Sequence, residues 1–152
     1  MLTEAHIAKL WTYMGHVYGH RWLTNFGLTD SGVWLDWLRR LSPEQLAAGI
    51  ARLKVRLDPW PPSAPEFLQL CLDIPGRDEA IESVFAGDDN PVANYLRGSV
   101  TSWDRQHLSE RDVRARYRAS YAACAQQVIE DQTEPAPMLE HDDARWLTDE
   151  ML

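Results

Sequence analysis

Long uninterrupted apolar segments are absent from this chain of 152 residues. No run approaches the roughly 20 residues that a membrane-spanning helix requires. The N-terminus, MLTEAHIAKLW, also lacks a basic segment followed by an apolar one. These absences predict a cytoplasmic protein with no membrane segment. A chain of this length hides roughly 70% of its unfolded surface on folding, so one domain can bury a core.

The motifs of nucleotide and nucleophilic chemistry are also missing. There is no G-x-x-x-x-G-K-[ST], and the eight glycines are scattered without G-x-G-x-x-G. No serine stands in a G-x-S-x-G elbow. His16 and His20 are four residues apart, but HVYGH lacks the glutamate of H-E-x-x-H and contains Gly19, which weakens a helix. We therefore expect a protein that is not an enzyme and uses no metal or cofactor, with an enzyme of unrecognised mechanism as a third-ranked hypothesis.

Cysteine is scarce, with Cys71 and Cys124 on separate predicted helices and no C-x-x-C spacing. Neither residue fits a metal or redox motif. We expect two buried free thiols.

The net charge of −8 is distributed unevenly along the chain. Residues 131–152 contain seven acidic residues and one base, Arg145, so the rest of the chain is nearly neutral. An acidic chain disfavours nucleic-acid binding over the whole surface, although local arginine clusters can contact phosphate. We predict a helical domain over residues 1–130. Residues 131–152 are predicted to be an acidic tail, mobile or weakly docked on a basic helix.

Apolar residues recur at helical spacing along most of the chain, and no period-two run bounded by turns is present. We predict an all-α fold, a compact bundle of about six or seven helices. Helix starts are indicated at Thr3, Asp30 or Ser31, Ser42, Ser63, Asn90 and Ser109, with a further short helix between Ile74 and Phe85. The aromatic-rich segment HRWLTNFG after Gly19 interrupts the pattern. In the helix after Ser42, the predicted inward stripe is Leu46, Ile50, Leu53 and Leu57.

The stretch WPPSAPEFLQLC, residues 60–71, predicts a rigid helix–helix corner. Pro59, Pro61 and Pro62 fix their own φ near −65° and push each preceding residue out of the α region. Ser63 and Glu66 have the spacing of a capping box, which restarts a helix. The chain is therefore stiff where it changes direction.

Seven tryptophans are the unusual feature of the composition. Four fall on predicted apolar stripes and are expected in the core: Trp11, Trp34, Trp37 and Trp103. Trp60 lies in the corner, where core packing is favoured and partner binding is the alternative. Trp146 lies beside Leu147 in the acidic tail, where the two interpretations are equally weighted.

Arg111, Arg114 and Arg118 share one side of the longest predicted helix, at i, i+3 and i+7. This spacing is compatible with a contact to phosphate or an acidic partner. A solvated face, or docking of the chain's own acidic tail, is the alternative and preferred interpretation.

The segment WLDWLRRLSPEQLAAGIARLKVRLDPWPPSAPEFLQLC resembles the core of the lambda-type phage replication protein P family, the replicative-helicase loaders. The positions that carry the resemblance are Trp34, Gln45, Gly49, Arg52, Pro62, Ser63, Phe67 and Cys71. The later segment NPVANYLRGSVTSWDRQHLSERDVRARYRASYAAC is similar to the family's aromatic-bearing helix and the long helix after it. The resemblance spans roughly residues 30 to 128, and its most specific part is the corner.

The resemblance implies an all-helical protein without ATPase chemistry that binds the host's DnaB-type replicative helicase, inserts between its subunits and delivers it to a phage origin through a phage initiator. Partner-binding candidates are Trp60, Tyr95, Trp103, Arg111, Arg114, Arg118, Trp146 and Leu147. The family's long N-terminal extension toward the initiator is short here, so helicase binding is implied more strongly than origin recruitment. Two alternatives stay open: an inhibitor of the host helicase, and a DNA-binding module of the initiator class. Contact with the initiator and weak contact with DNA are further partner hypotheses.

Overall fold

The computed structural model describes residues 1–134, which form nine helices and contain no strand. The helices are α1 (Glu4–Tyr18), α2 (His20–Phe26), α3 (Val33–Leu38), α4 (Pro43–Arg56), α5 (Ala64–Leu72), α6 (Arg77–Ala86), α7 (Pro91–Ser99), α8 (Ser102–His107) and α9 (Glu110–Gln132). The predicted all-α bundle is confirmed. Seven of the helices were predicted, and α2 and α8 were not.

The two unpredicted helices follow breaks that redirect the chain without ending helical structure. Gly19, with φ 59° and ψ −127°, turns the chain between α1 and α2. Helix formation then resumes, and Trp22 is fully buried. Val100 is extended and ends α7, after which the Thr101 hydroxyl accepts a hydrogen bond from the Asp104 amide at 3.1 Å and starts α8. Each break changes which side chains face inward.

Five aromatic rings join the N-terminal helices into one core. They are Trp11, Trp22, Phe26, Trp34 and Phe67, from α1, α2, α3 and α5. Trp11 and Trp22 meet edge to face with centroids 4.8 Å apart, and Trp34 lies 5.9 Å from Phe67. Such pairs stabilise by roughly 0.5–1.5 kcal/mol each beyond the area that they bury.

The core predictions for Trp37 and Trp103 are wrong, since these side chains are 45% and 64% exposed. Helix α3 has only six residues. Trp34 and Leu38 take its inward positions and leave Trp37 outside. Trp103 does not continue the buried face of α7, because it belongs to the separate helix α8.

Helices α4 and α5 approach closely at Gly49. A methyl group at this position would lie 3.1 Å from the Cα atom of Cys71 and 3.2 Å from its Cβ atom. One turn after Gly49 on α4, the Arg52 guanidinium donates to the carbonyls of Leu70 at 2.6 Å and Cys71 at 3.2 Å, near the C-terminus of α5. The missing side chain of Gly49 therefore allows the two backbones to pack together.

The corner between α4 and α5 is largely as predicted. Pro62 is almost completely buried, and the Ser63 hydroxyl accepts a hydrogen bond from the Glu66 amide at 3.3 Å. Only this half of the predicted capping box forms, because the Glu66 carboxylate accepts from the Ser63 hydroxyl and from Arg56. Ser42 and Gln45 form the complete capping box at the start of α4.

The C-terminal helices pack along α9, with α6, α7 and α8 against it. The buried stripe of α9 is Val113, Tyr117, Cys124, Ala125 and Val128. The Tyr121 hydroxyl donates to the Pro75 carbonyl at 2.6 Å, which ties α9 to the segment between α5 and α6. Cys71 and Cys124 are buried free thiols, as predicted.

The end of α9 returns to the start of α4. Glu134 exchanges hydrogen bonds with Arg40: its amide donates to the Arg40 carbonyl at 3.0 Å, and its own carbonyl accepts from Arg40 Nε at 2.6 Å. Gln45 donates to the Gln132 carbonyl at 2.7 Å, and the Met1 ammonium lies 3.2 Å from the Glu134 carboxylate. The first residues of the predicted tail, 131–134, are thus attached to the helical domain. The rest of that tail lies outside the described residues.

Replacing Gly49 with alanine tests the close approach of α4 and α5. We expect a loss of about 1–3 kcal/mol in the free energy of unfolding, because the added methyl group overlaps Cys71. Gly15→Ala in α1 is the matched control, since no atom lies within 4 Å of a Cβ atom there. The control should stabilise by up to about 1 kcal/mol. Equal urea midpoints for the two variants would contradict the packing described.

The thiol of Cys71 should be inert in the native chain. Burial raises its pKa to about 12, with partial opposition from the charge of Arg52. Because the thiolate is the reactive form, we expect Cys71 to react with Ellman's reagent near neutral pH only after unfolding. A Cys124→Ala chain isolates this reaction, which is followed with and without urea. Equal rates under the two conditions would refute the prediction.

Candidate functional site

The predicted partner-binding residues divide between two regions. Trp60 lies at the corner between α4 and α5, whereas Tyr95, Trp103 and the three arginines lie on α7, α8 and α9. Trp146 and Leu147 lie outside the described residues. The structure therefore does not bring the candidates together into one site.

Tyr95 joins α7 to the end of α9. Its hydroxyl donates a hydrogen bond to the Asp131 carboxylate, and its side chain is 40% exposed. This bond raises the pKa of Tyr95 and lowers the pKa of Asp131. The hydroxyl is already engaged within the chain, so only the ring face is available to a partner.

The three arginines of α9 do not act as a set. Arg114 forms ion pairs with Glu82 at 2.6 Å and Glu110 at 3.0 Å, and its guanidinium lies 4.3 Å from the centroid of the Phe85 ring. Hydrogen bonds to Glu82 and then Glu110 raise the pKa of Arg114. Arg114 thus connects α9 to α6, which neither interpretation of the three arginines predicted.

Arg111 and Arg118 remain exposed on the outer side of α9. Neither forms an ion pair or a side-chain hydrogen bond with any residue from 1 to 134. They are seven residues apart, so they lie on one side of the helix. We call this pair the arginine face.

Trp103 is a rigid exposed aromatic. Its ring stacks on His107, with centroids 4.0 Å apart and an interplanar angle of 15°. His107 Nδ1 is also 2.7 Å from the Trp103 carbonyl, which holds the imidazole against the same helix. His107 was not predicted, although its spacing of four residues from Trp103 indicates a contact within one helix.

Trp60 is 57% exposed, so the preferred interpretation that it fills the core is wrong. Pro62 is the buried residue of the corner. The Arg21 guanidinium lies 4.8 Å from the centroid of the Trp60 ring and donates to the Pro59 carbonyl at 3.0 Å. This contact from α2 holds the indole at the surface beside the corner.

Leu57 is the residue that the sequence prediction most clearly misplaced. It was expected on the buried stripe of α4 but is 89% exposed, with φ 56° and ψ 21° at the C-cap. Pro59 disfavours helical geometry at Asp58, so α4 ends and Leu57 turns outward. Glycine is the usual residue in this left-handed conformation, because a side chain there is strained.

Leu57 lines a shallow hollow of about 390 Å³, and Trp60 lies beside it through its contact with the lining residue Arg21. Its lining residues are Val17, Tyr18, Arg21, Leu53, Lys54, Leu57, Asp58 and Pro59. Val17 is 49% exposed and adds to the apolar area. We call the exposed side chains of Val17, Arg21, Lys54, Leu57 and Trp60 the corner surface.

A groove of about 710 Å³ runs along α1. Leu23 and Leu28 form one wall, and Ala8, Thr12 and Gly15 lie on the helix side. No predicted site residue lines it. Its rim carries the carboxylates Glu4 and Asp30. Asp30 accepts hydrogen bonds from the amides of Trp34 and Leu35, so it serves the start of α3.

No family model, curated protein or solved structure matches this chain. The resemblance to the lambda-type replication protein P family therefore stays a prediction. Within residues 1–134, no helix combines the length and the hydropathy needed to cross a bilayer.

Replacing Leu57 with glycine tests whether this leucine lowers the stability of the folded chain. We expect the free energy of unfolding to rise by about 0.5–1 kcal/mol, because the left-handed conformation is strained for leucine and the side chain buries almost nothing against residues 1–134. Val55→Gly is the control, since Val55 is 77% exposed but helical. That change should destabilise by a few tenths of a kcal/mol. Thermal unfolding should give shifts of opposite sign, and a loss of stability in both variants would refute the prediction.

Proposed function

We propose that this chain is a cytoplasmic phage replication protein that binds the host's DnaB-type replicative helicase and changes the conformation of its ring through contact alone. The observation that supports a binding role is the stacked, exposed Trp103, followed in the chain by the arginine face of α9. Tryptophan and arginine are the side chains most enriched among residues that dominate binding energy. The identity of the partner rests on the resemblance in sequence.

The Trp103 stack and the arginine face are suited to binding because the helices that carry them are already formed. Trp103 is held by its contact with His107, and Thr101 caps the N-terminus of α8. Arg111 and Arg118 project from a helix of 23 residues whose inner stripe is buried. A preformed surface loses less conformational entropy on binding than a disordered one.

Binding energy alone is sufficient to change a ring between two states. Moving an equilibrium from 1:99 to 99:1 requires about 5.5 kcal/mol of preference for one state. Three dominant contacts, each contributing about 2 kcal/mol, supply this amount if only one state of the ring allows them. No nucleotide hydrolysis by the bound chain is needed for such a shift.

The corner motif that carries the resemblance contributes to the fold. Gly49 and Cys71 allow α4 and α5 to meet, Arg52 caps α5, and Phe67 is fully buried. A shared corner therefore supports a shared arrangement of helices, and it does not by itself identify the surface that binds a partner. The helicase contact is proposed on α8 and α9 for this reason.

Complex formation with the host's replicative helicase tests the proposal. We expect a stable complex by size-exclusion chromatography with light scattering, and a changed ATPase rate of the helicase. Trp103→Ala, and Arg111→Glu combined with Arg118→Glu, should each weaken binding at least about tenfold, which is 1.4 kcal/mol.

Trp37→Ala is the matched control, because Trp37 is also an exposed tryptophan but lies on α3. It should leave the affinity unchanged. Absence of a complex with the unaltered chain would refute the proposal, and an equal loss in the Trp37 variant would refute the assigned surface. Helicase unwinding assays with the initiator distinguish a loader, which raises unwinding, from an inhibitor, which lowers it.

The exposed arginine face also favours a second candidate, direct DNA binding. Lysine and arginine contacts to phosphate release counterions, so such binding weakens steeply with salt. The slope of the logarithm of the binding constant against the logarithm of salt concentration measures these contacts. Replacing both Arg111 and Arg118 with alanine should then reduce the magnitude of this slope by about two. Fluorescence anisotropy with labelled single- and double-stranded DNA measures this slope. A slope unchanged by the double replacement would exclude this role for the arginine face.

A further inference from the structure

The corner surface combines apolar exposure with positive charge. Leu57 and Val17, which line the hollow of about 390 Å³, are 89% and 49% exposed, and Trp60, which contacts the lining residue Arg21, is 57% exposed. That volume lies within the range of about 300–1,000 Å³ typical of ligand pockets. Contiguous apolar exposure of this kind on a small protein marks an interaction site.

The cations of the corner surface have no acidic partner among residues 1–134. Arg21 binds only the Trp60 ring and the Pro59 carbonyl, and Lys54 forms no ion pair within this range. The nearby carboxylate, Asp58, is paired with Arg56 at 3.2 Å. An occupant of the hollow should therefore carry apolar side chains flanked by acidic ones.

The C-terminal segment of the same chain has this composition. The sequence DDARWLTDE places Trp146 and Leu147 between the pairs Asp142–Asp143 and Asp149–Glu150. A tryptophan contributes a large apolar area with few rotatable bonds, and the flanking carboxylates are complementary to Arg21 and Lys54.

The segment is also long enough to reach the hollow. Glu134 is bonded to Arg40 beside the start of α4, and the hollow lies at the other end of that helix. The 14 residues of α4 span about 21 Å. The chain from residue 135 to residue 146 spans up to about 40 Å when extended. The outer positions of α4 along this path include the small residues Ala47 and Ala51, which are exposed.

The arginine face is the competing site for an acidic segment. It is within similar reach, but its exposed neighbours on α9 are Ala115 and Ala122, and none of the cavities described here is lined by Arg111 or Arg118. The arginine face therefore offers charge to a docking segment but no pocket for an indole ring. The corner surface offers both.

We propose that residues 142–150 dock on the corner surface of their own chain, with Trp146 in the hollow and the flanking carboxylates near Arg21 and Lys54. The docked segment would cover Leu57 and Trp60. This inference does not depend on the helicase assignment.

Fluorine NMR of the full chain labelled with 5-fluorotryptophan tests the proposal. The resonances of Trp60 and Trp146 are assigned with single Trp→Phe variants. We expect the Trp146 resonance to differ from its position in urea, and to move toward that position in Leu57→Asn and Lys54→Glu variants. Added salt should have the same effect, because screening weakens the attraction of exposed charges.

Two reciprocal measurements separate docking at the corner from the other outcomes. A Leu147→Ala variant should move the Trp60 resonance without altering the folded core, and Arg118→Glu should leave Trp146 in place. A Trp146 resonance at its urea position, or one moved by Arg118→Glu instead of Lys54→Glu, would overturn the proposal. Resonance shifts that depend on protein concentration, together with the molecular mass of a dimer, would also overturn it. They would show that the segment docks on a second copy of the chain.

Discussion

The contact of Gly49 with Cys71 is the constraint on which the N-terminal half of the molecule depends. Because the two helix backbones meet there, α4 and α5 can be joined by a corner of only seven residues, 57–63, three of which are prolines. The position of α5 in turn places Phe67 against Trp34 and so closes the aromatic core. A larger side chain at residue 49 would separate the elements that the prolines hold at a fixed angle.

The stiffness of this corner has a second effect at the surface. Proline restricts the residue before it, so the chain between α4 and α5 cannot continue the helix. Leu57 consequently adopts a left-handed conformation and faces solvent, and Trp60 lies outside the core under Arg21. The rigid turn therefore accounts both for the angle between two helices and for the exposure of the apolar residues beside it.

Local signals in the sequence were sufficient for most helix starts, because capping depends on residues within one turn. Ser42, Asn90 and Ser109 each cap the helix that their neighbours predict. Inward and outward faces were harder to predict, since a single residue such as Val100 resets the helical phase and leaves Trp103 outside.

The candidate site was predictable only in part. That Arg114 binds Glu82 depends on α6 lying beside α9, and no spacing within α9 reveals this neighbour. Leu57 is exposed because α4 ends one residue before it, and the sequence does not locate a helix end that accurately. The pairing of Arg21 with Trp60 joins α2, which was not predicted, to the corner.

The ion pair between the Met1 ammonium and Glu134 places the two ends of the helical domain side by side. A purification tag or reporter fused before Met1 would remove that ammonium charge and would occupy the point from which residue 135 departs. Fusions at either end of the domain would therefore crowd the same region of the molecule. Residues 87–89, between α6 and α7, are exposed and form an insertion point far from both ends in the sequence.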